Sequence, residues 1–256
     1  MSSSSANPNW QPSADIDTLK SRARWLARIR GFFAAKSVLE VDTPILSQMG
    51  STEVHLQHFT ALESDDAGSA ASYFLNTSAE LAMKRLLAAG LGDIYQISKV
   101  FRAFERGARH QPEFTMLEWY RLGFDLDALM DEVEQLLIAL AGSRLTQARV
   151  TKTYSQVFNE VVSLDPLLVS IEQLQNCFKQ NTNTDAPQME NKQAGLDLIM
   201  SSVIEPGFNP DQLTFVTHYP AAQASLARLN KTNPEFAERF EVFAGGLELA
   251  NGFHEL

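Results

Sequence analysis

The sequence predicts an α+β fold in which a mainly antiparallel sheet is flanked by helices. Segments with strand character at 94–102 and 114–121 are separated by about ten residues rich in Gly, Arg and Pro, the pattern of a long hairpin. Segments with a 3.6-residue apolar period lie at 15–37 and 125–142. Strands and helices do not alternate regularly along the chain, so a parallel sheet built from strand–helix–strand units is not expected.

The first part of the chain is predicted to hold one long helix followed by short strands. Residues 1–14 are rich in Ser, Asn and Pro, and we expect them to be disordered. The first helix begins at Asp15, and the segment VLEVDTPIL at 38–46 is a strand interrupted at Pro44. Residues 61–72, ALESDDAGSAAS, are predicted to be a loop.

Two further helices are delimited by recognisable end signals. YFLNTS at 73–78 reads as a short strand, after which Ser78 caps the helix SAELAMKRLLAAG and Gly90 ends it. The amphipathic helix DLDALMDEVEQLLIALAG ends at Gly142.

The last part of the chain is predicted to be more variable. A region over about 150–205 contains helical pieces around a polar, poorly ordered stretch at 179–193. LTFVTHYP at 213–220 is a predicted strand, and the segment 236–256 supplies one or two more.

Bulk composition restricts the class of protein. Over 256 residues the formal net charge is −10 and the pI about 5.0, so we do not expect non-specific binding to nucleic acid, which depends on many Lys and Arg contacts to phosphate. The single cysteine, Cys177, cannot form an internal disulfide, which is typical of a reducing compartment. The N terminus lacks the pattern of a secretory signal, and no apolar run is long enough to span a membrane. We therefore expect a soluble, cytoplasmic protein.

The segment FRAFERGARHQPEFTMLEWYR at 101–121 combines many charges with aromatic residues. If its second half is an extended strand, four side chains share one face: Phe114, Met116, Glu118 and Tyr120. A glutamate between large apolar side chains could hold a cation in a partly dry pocket, and Arg102 at the end of the preceding strand could reach the same pocket. The alternative is an ordinary surface hairpin with its charges in solvent.

Several segments, taken in order, resemble the class II aminoacyl-tRNA synthetases of the lysyl type. FR…E…RHQPEFTMLEWY resembles motif 2, and IRGFFAAKSVLEVDTPIL resembles motif 1, which builds the dimer interface in that class. FLNTSAELAMKRLLAAGLGDIYQISKVFR resembles the amino-acid-binding segment, and GGLELANGFHEL the strand with the ATP- and metal-binding glutamates. HYPAAQASLARL is similar to the run found in the elongation factor P–lysine ligases, paralogues of the lysyl enzyme. The resemblance implies a class II synthetase-like catalytic domain over 15–256.

The resemblance also implies roles for individual residues. Arg102 is the implied catalytic residue, in contact with the α-phosphate and the substrate carboxylate. The implied ATP-binding residues are Arg102, Ala103, Phe104, Glu105, His110, Gln111, Phe114, Glu248 and Leu249. The implied substrate-binding residues are Ser78, Ala79, Glu80, Glu118, Tyr120 and Glu255. Glu248 and Glu255 are also implied to bind Mg²⁺, and a hairpin or strand break at Asn251-Gly252 could bring them onto one site.

The activity implied by the resemblance is that of an ATP-dependent ligase. (R)-β-lysine, or lysine, would be activated as an aminoacyl-adenylate and then transferred to a lysine side chain of elongation factor P. The implied cofactors are ATP and Mg²⁺, and the implied assembly is a homodimer through motif 1. The acidic chain favours a protein acceptor, so tRNA is not an expected substrate.

The sequence departs from the family pattern at several positions. Phe104 stands where the family usually has glutamate, Gln111 replaces asparagine, and Ala79 stands where the ligases have proline. The chain ends at Leu256, before the motif 3 strand and helix, so we expect it to be C-terminally incomplete. Two alternatives stay open. One is a lysyl-tRNA synthetase catalytic fragment, against which the missing anticodon-binding barrel argues, and the other is a non-catalytic synthetase-like binding module.

Overall fold

The computed structural model describes residues 12–50, 56–64, 70–107 and 109–256. These residues form two compact units, one that ends at Leu122 and one that begins at Gly123. Each unit combines helices with mainly antiparallel strands, as the sequence predicts. The disorder predicted for the N terminus falls mostly on residues 1–11, which lie outside the described ranges. Within those ranges, no helix is long and apolar enough to cross a membrane.

The first unit contains two sheets. Its elements are α1 (Ile16–Ala35), β1 (Leu39–Glu40), β2 (Leu46–Ser47), β3 (Thr60–Ser64), β4 (Ala70–Leu75), α2 (Glu80–Ala88), β5 (Ile94–Phe101) and β6 (Glu113–Tyr120). In one sheet β5 lies between β1, to which it is parallel, and β6, to which it is antiparallel. In the other, β4 pairs antiparallel with both β2 and β3.

The long helix α1 packs on the β5–β6 hairpin. It begins at the predicted cap, where the Asp15 carboxylate accepts a hydrogen bond from the backbone N–H of Thr18 at 2.6 Å. Near the other end, the fully buried Phe33 stacks on Tyr95 of β5, with ring centroids 4.4 Å apart. Phe33 also contacts Trp119 of β6 at 5.5 Å. These rings fix the hairpin against the helix, and thereby the strands that carry Arg102 and Glu118.

The second unit is built on one four-stranded sheet. Its elements are α3 (Leu126–Ala141), β7 (Val150–Thr153), α4 (Tyr154–Val162), α5 (Ile171–Thr182), α6 (Lys192–Ile199), β8 (Thr214–Pro220), β9 (Phe236–Ala244) and β10 (Leu247–Phe253). The strand order is β10-β9-β8-β7, with β7 parallel to β8 and the other pairs antiparallel.

Helices α4, α5 and α6 cover one face of this sheet. Helix α4 begins with a capping box between Thr153 and Gln156, and α5 with another between Ser170 and Gln173, so their first backbone N–H groups are satisfied. Their apolar faces form one buried cluster, whose helical members include Tyr154, Phe158, Leu174 and Ile199 and whose strand members are Val216, Tyr219 and Phe243. The region from 150 to 205 is therefore a packed layer on the sheet.

Three details of the predicted elements are wrong. The ends of the predicted loop 61–72 are strand, because β3 and β4 pair with each other, while 65–69 lie outside the described residues. Residues 150–153 form β7, which depends on parallel pairing with β8 far along the chain. Helices α5 and α6 extend into the polar stretch 179–193 from its two ends.

One predicted helix cap and one predicted turn also lie at other positions in the structure. Helix α2 has Ala79 as its N-cap, one residue after the predicted Ser78, although the Ser78 hydroxyl accepts a hydrogen bond from the Glu80 N–H at 3.0 Å. Strand β10 passes through 251–252 without a turn. The turn lies instead at Gly245 and Gly246, whose φ angles of 56° and 70° suit a two-residue hairpin connection.

Candidate functional site

The β5–β6 hairpin brings two predicted ATP-binding residues together. The backbone N–H of Arg102 donates to the Pro112 carbonyl at 2.9 Å, which closes the base of the connecting loop. The Arg102 guanidinium lies over the Phe114 ring, 5.2 Å from its centroid, and its Nε donates to the Thr77 carbonyl at 3.3 Å. A guanidinium fixed in this way can bind a phosphate, and an aromatic ring beside it can stack on a base.

Three predicted substrate-binding residues meet at the start of α2. The Ser78 hydroxyl and the Ala79 N–H both donate to the Glu118 carboxylate, the latter at 2.8 Å. The next residue, Glu80, is held by Lys84, whose Nζ lies 2.6 Å from its carboxylate. We call Ser78, Ala79, Glu80 and Glu118 the Glu118 cluster. The sequence prediction that these distant residues act together is consistent with this geometry, while their roles stay predictions.

The electrostatics of the Glu118 cluster favour a cationic ligand. Burial raises the pKa of the Glu118 carboxyl, and the nearby charge of Glu80 acts in the same direction. The hydrogen bonds from Ser78 and Ala79 and the charge of Arg102 lower that pKa, but burial is the largest cause. An incoming ammonium group would favour the charged carboxylate and so remove part of the cost of burying it.

The other predicted nucleotide- and substrate-binding residues of this unit are exposed in the loop or packed against other protein groups. The side chain of Phe104 is 83% exposed at a φ of 66°, and His110 and Gln111 are also exposed in the loop. The backbone N–H of Ala103 donates to the Gln57 carbonyl at 2.8 Å. Tyr120 packs against the buried cluster that contains Ala79. No contact of these residues identifies a nucleotide or substrate role.

One polar residue of this face was missed by the sequence analysis. Gln96 lies directly opposite Glu118 in the β5–β6 register and is 1% exposed. Neither of its side-chain amide atoms has a hydrogen-bond partner among the residues that the structure describes. The signal was available, because Gln96 and Ser98 are polar residues between Ile94 and Val100 on one face of the strand.

The second unit contains a polar cavity of about 250 Å³ between the sheet and the helices that cover it. Its wall is formed by Tyr154, Asp197, Met200, Ser201, Glu205, Tyr219, Gln223, Arg239, Glu241 and Glu248. Four of these residues carry a carboxylate and one a guanidinium, so the cavity favours cations. Of the predicted site residues, Glu248 alone belongs to this wall.

Strand pairing explains why these charges converge. Alternation along β9 places Arg239, Glu241 and Phe243 on one face, and β10 pairs Glu248 with Phe243 on that face. The sequence analysis missed Arg239 and Glu241, although charged residues at alternate positions of an otherwise apolar strand are a usable signal.

Glu248 and Glu255 do not share this cavity. Glu248 lies near the start of β10 and Glu255 two residues beyond its end, and the pairing with β9 is irregular between Glu248 and Ala250. Among the described residues, no group of three or more His, Cys, Asp and Glu side chains is placed to hold a metal ion. The assignment of Glu248 and Glu255 as metal ligands stays a prediction.

Comparison with known proteins covers nearly the whole chain. A model of the class II tRNA synthetases (D, K and N) matches residues 12–256. The chain belongs to the class II tRNA synthetase family. Proteins named elongation factor P–(R)-β-lysine ligase, from Pasteurella multocida (strain Pm70) and Vibrio parahaemolyticus (strain RIMD 2210633), are 46% and 44% identical to it. Each match covers 97% of this chain and 76% of the relative. A protein of the same name from Histophilus somni (strain 2336) is 43% identical over 98% of this chain and 77% of its own length.

These findings confirm the family and the fold class predicted from the sequence. The class II family match extends across both compact units, and the relatives of the same name match almost every described residue. The single domain predicted over 15–256, and the roles of the individual site residues, stay predictions.

Proposed function

We propose that this chain activates (R)-β-lysine, or lysine, with ATP and transfers it to a lysine side chain of elongation factor P. The observation that carries the proposal is the Glu118 cluster, in which a partly buried carboxylate accepts hydrogen bonds from the Ser78 hydroxyl and the Ala79 N–H. The similarity to proteins named elongation factor P–(R)-β-lysine ligase supports the same reaction.

Recognition of the amino acid rests on carboxylates of the first unit. In this proposal Glu118 binds an ammonium group of the substrate, because its charge is desolvated and its donors are neutral. Glu80 is paired with Lys84, so a substrate ammonium at Glu80 would take the place of the lysine side chain. Glu255 and Tyr120 remain proposed substrate contacts.

Activation of the amino acid needs positioning and charge stabilisation and uses no covalent nucleophile. A carboxylate oxygen of the substrate bonds to the α-phosphorus of ATP, the bond to the bridging oxygen of the β-phosphate breaks, and pyrophosphate leaves. Arg102 would stabilise the charge on the α-phosphate, since its guanidinium is fixed between Phe114 and the Thr77 carbonyl. The Phe114 ring would stack on adenine.

Transfer completes the reaction. The side-chain amine of an acceptor lysine attacks the acyl carbon of the adenylate, the bond between that carbon and the phosphate oxygen breaks, and AMP leaves. The amine loses a proton to solvent as the new amide forms. No residue of the chain is required as a covalent intermediate, because the mixed anhydride is already activated.

The carboxylates of the second unit fit a magnesium ion that arrives with ATP. Mg²⁺ is usually held by one or two carboxylates together with phosphate oxygens and water, and Glu248 and Glu255 are the carboxylates proposed for this role. Such a site needs no preformed group of three protein ligands. When bound, Mg²⁺ would neutralise charge on the phosphates of ATP.

The remaining parts of the proposal concern assembly and location. We propose a homodimer through the segment of α1 and the strands that follow it, which resembles motif 1. An acceptor that serves translation suits the cytoplasm, and the net charge of −10 suits a protein acceptor more than tRNA.

ATP–pyrophosphate exchange tests the proposal directly. Exchange by the full chain is expected with (R)-β-lysine, more weakly with lysine, and not without an amino acid. Glu118→Gln is expected to raise the amino-acid KM, with folding checked by circular dichroism. Transfer is measured by mass spectrometry of purified elongation factor P, with tRNA as the alternative acceptor. Folded protein that supports exchange with neither amino acid would refute the proposal.

A further inference from the structure

Strand β5 places a buried glutamine directly opposite Glu118. Gln96 pairs with Glu118 in the β5–β6 register. Residues directly opposite each other in an antiparallel pair have side chains on the same face, with Cβ atoms about 4.5–5.5 Å apart. Gln96 is 1% exposed, whereas Glu118 is only partly buried, so the glutamine forms the inner side of the pair. A ligand that reaches the Glu118 carboxylate therefore arrives beside the Gln96 side chain.

The side chain of Gln96 has unused hydrogen-bonding capacity. Its amide oxygen and amide nitrogen are both buried, and neither has a hydrogen-bond partner among the described residues. The Ser98 hydroxyl, on the same face of β5, is likewise buried without a partner in the part of the chain that the structure describes. Buried amide groups are nearly always hydrogen-bonded, because an unpaired one loses its bonds to water without replacement. An unpaired amide beside the Glu118 cluster therefore points to a ligand that completes its bonds.

Packing alone does not explain a glutamine at this position. Ile94 and Val100, on the same face of β5, are fully buried, so an apolar side chain would suit the site at a lower cost of burial. The Glu118 carboxylate takes its hydrogen bonds from Ser78 and Ala79. Among the described residues, the Gln96 amide is thus not what holds that carboxylate in place.

We propose that Gln96 is a further substrate-binding residue, whose amide oxygen accepts a hydrogen bond from the same ammonium group of the amino acid that Glu118 binds. A primary ammonium group has several N–H donors, so a carboxylate and a neutral acceptor together satisfy it better than the carboxylate alone. The inference rests on the proposed function, and it names a residue to which neither the sequence analysis nor the family match assigns a role.

The neutrality of the amide suits this position. A second carboxylate directly opposite Glu118 would repel it whenever the site is empty, and the two groups would compete for a proton. An amide accepts a hydrogen bond without adding charge. One carboxylate and one ammonium group then balance each other, and Gln96 contributes the direction of the bond.

Calorimetric titration of the full chain with (R)-β-lysine and with lysine tests the inference without relying on turnover. Gln96→Met keeps the approximate size of the side chain and removes its amide. The Kd for the amino acid is expected to rise about tenfold or more, as for loss of a hydrogen bond to a charged group. In ATP–pyrophosphate exchange the amino-acid KM is expected to rise by the same factor with kcat little changed, because the contact is made equally in the ground state and the transition state.

Stability gives a second readout that a structural role would move differently. The urea midpoint of Gln96→Met is expected to stay at or above that of wild type, because unpaired amide atoms are removed from the interior. Gln96→Glu keeps an acceptor oxygen at the same reach. Its Kd for the amino acid is expected to stay within about threefold of wild type near neutral pH, since the bound ammonium offsets the added charge.

Thr43→Val is the matched control. Thr43 is 7% exposed, and its hydroxyl is buried without a hydrogen-bond partner among the described residues. It follows β1, which lies on the side of β5 away from β6 and Glu118. This variant also removes a buried, unpaired polar atom while keeping the shape of the side chain, and it is expected to leave the Kd for the amino acid unchanged.

The outcomes separate this inference from the proposed function. If the wild-type chain neither binds an amino acid nor supports exchange, the proposed function and the inference fail together. If wild type does either, and Glu118→Gln weakens it while Gln96→Met does not, the inference alone is overturned. Lower urea stability of Gln96→Met with a normal Kd would assign the amide to folding and overturn the inference. Equally weakened binding in Gln96→Met and Gln96→Glu would do the same, because the acceptor oxygen would then be irrelevant.

Discussion

Gly252→Ala would place a methyl group against the buried ring of Phe240. A Cβ at this position would lie 2.5 Å from Cζ of Phe240 and 2.8 Å from Cε1, about 1 Å closer than carbon atoms normally approach. Phe240 is fully buried, and its ring lies 5.8 Å from that of Phe215, which is also fully buried. The ring therefore has little room to withdraw. Overpacking of this kind costs about 1–3 kcal/mol, while replacing glycine in a strand recovers about 0.5–1 kcal/mol.

We expect Gly252→Ala to lower the free energy of unfolding by about 1–2 kcal/mol in urea denaturation followed by circular dichroism. Gly207→Ala is the control in the same unit, since no atom lies within 4 Å of a Cβ there. In a Phe240→Leu background the cost of Gly252→Ala is expected to fall, which a double-mutant cycle would show as coupling of about 0.5–3 kcal/mol. Full stability of Gly252→Ala, or additivity in the cycle, would refute the packing argument.

Two further predictions concern titratable groups. Because burial raises the pKa of Glu118 above its ordinary value of 4.5, the folded chain binds this proton more tightly than the unfolded chain, and stability falls as pH rises from 4.5 through the raised pKa. Glu118→Gln removes this dependence, so stability measured between about pH 4 and about pH 7 would change less in the variant than in wild type; an equal change would contradict the assignment. Cys177 is 7% exposed and burial raises the pKa of its thiol, so native protein is expected to react with iodoacetamide far more slowly than protein in urea, and equal rates would contradict this.

Elements with strong local signals could be predicted from the sequence. Helices α1 and α3 carry Asp15 and Asp125 at their N-caps, and each carboxylate accepts the expected backbone hydrogen bond. Gly142, with a φ of 58°, ends α3 as predicted. The β5–β6 hairpin was predicted because both strands are long enough for alternation to be read.

Elements that depend on distant pairing could not be predicted. Strand β7 has only four residues, VTKT, and exists because Thr151 and its neighbours pair with β8 more than sixty positions later. The turn-prone pair Asn251-Gly252 stays extended because β9 pairs with β10 across it and Gly245-Gly246 already supplies the turn. In these cases the tertiary context overrides local propensity.

The candidate site was predictable to different degrees in the two units. Ser78 and Glu118 are forty positions apart, and the resemblance to a known family grouped them before the structure showed their hydrogen bond. No resemblance pointed to Arg239, whose contacts depend on the β9–β10 register and on a loop carbonyl after β8. A reading of β9 by alternation alone would have placed Arg239 and Glu241 on one face, but not the Tyr219 hydroxyl beside them.

The partly buried carboxylates of Glu118 and Glu241 are held by different kinds of donor, and this difference determines how much each would gain from a bound cation. Glu118 receives its hydrogen bonds from a hydroxyl and a backbone N–H, both of which are neutral donors, and burial raises the pKa of its carboxyl. Glu241 receives one bond from Tyr219 and one from the guanidinium of Arg239, so its charge is already paired. A monovalent ammonium group would therefore gain most at Glu118, where it supplies the missing charge. Glu241 gains less from an added cation, because the Arg239 guanidinium already neutralises its charge and would repel a second positive group.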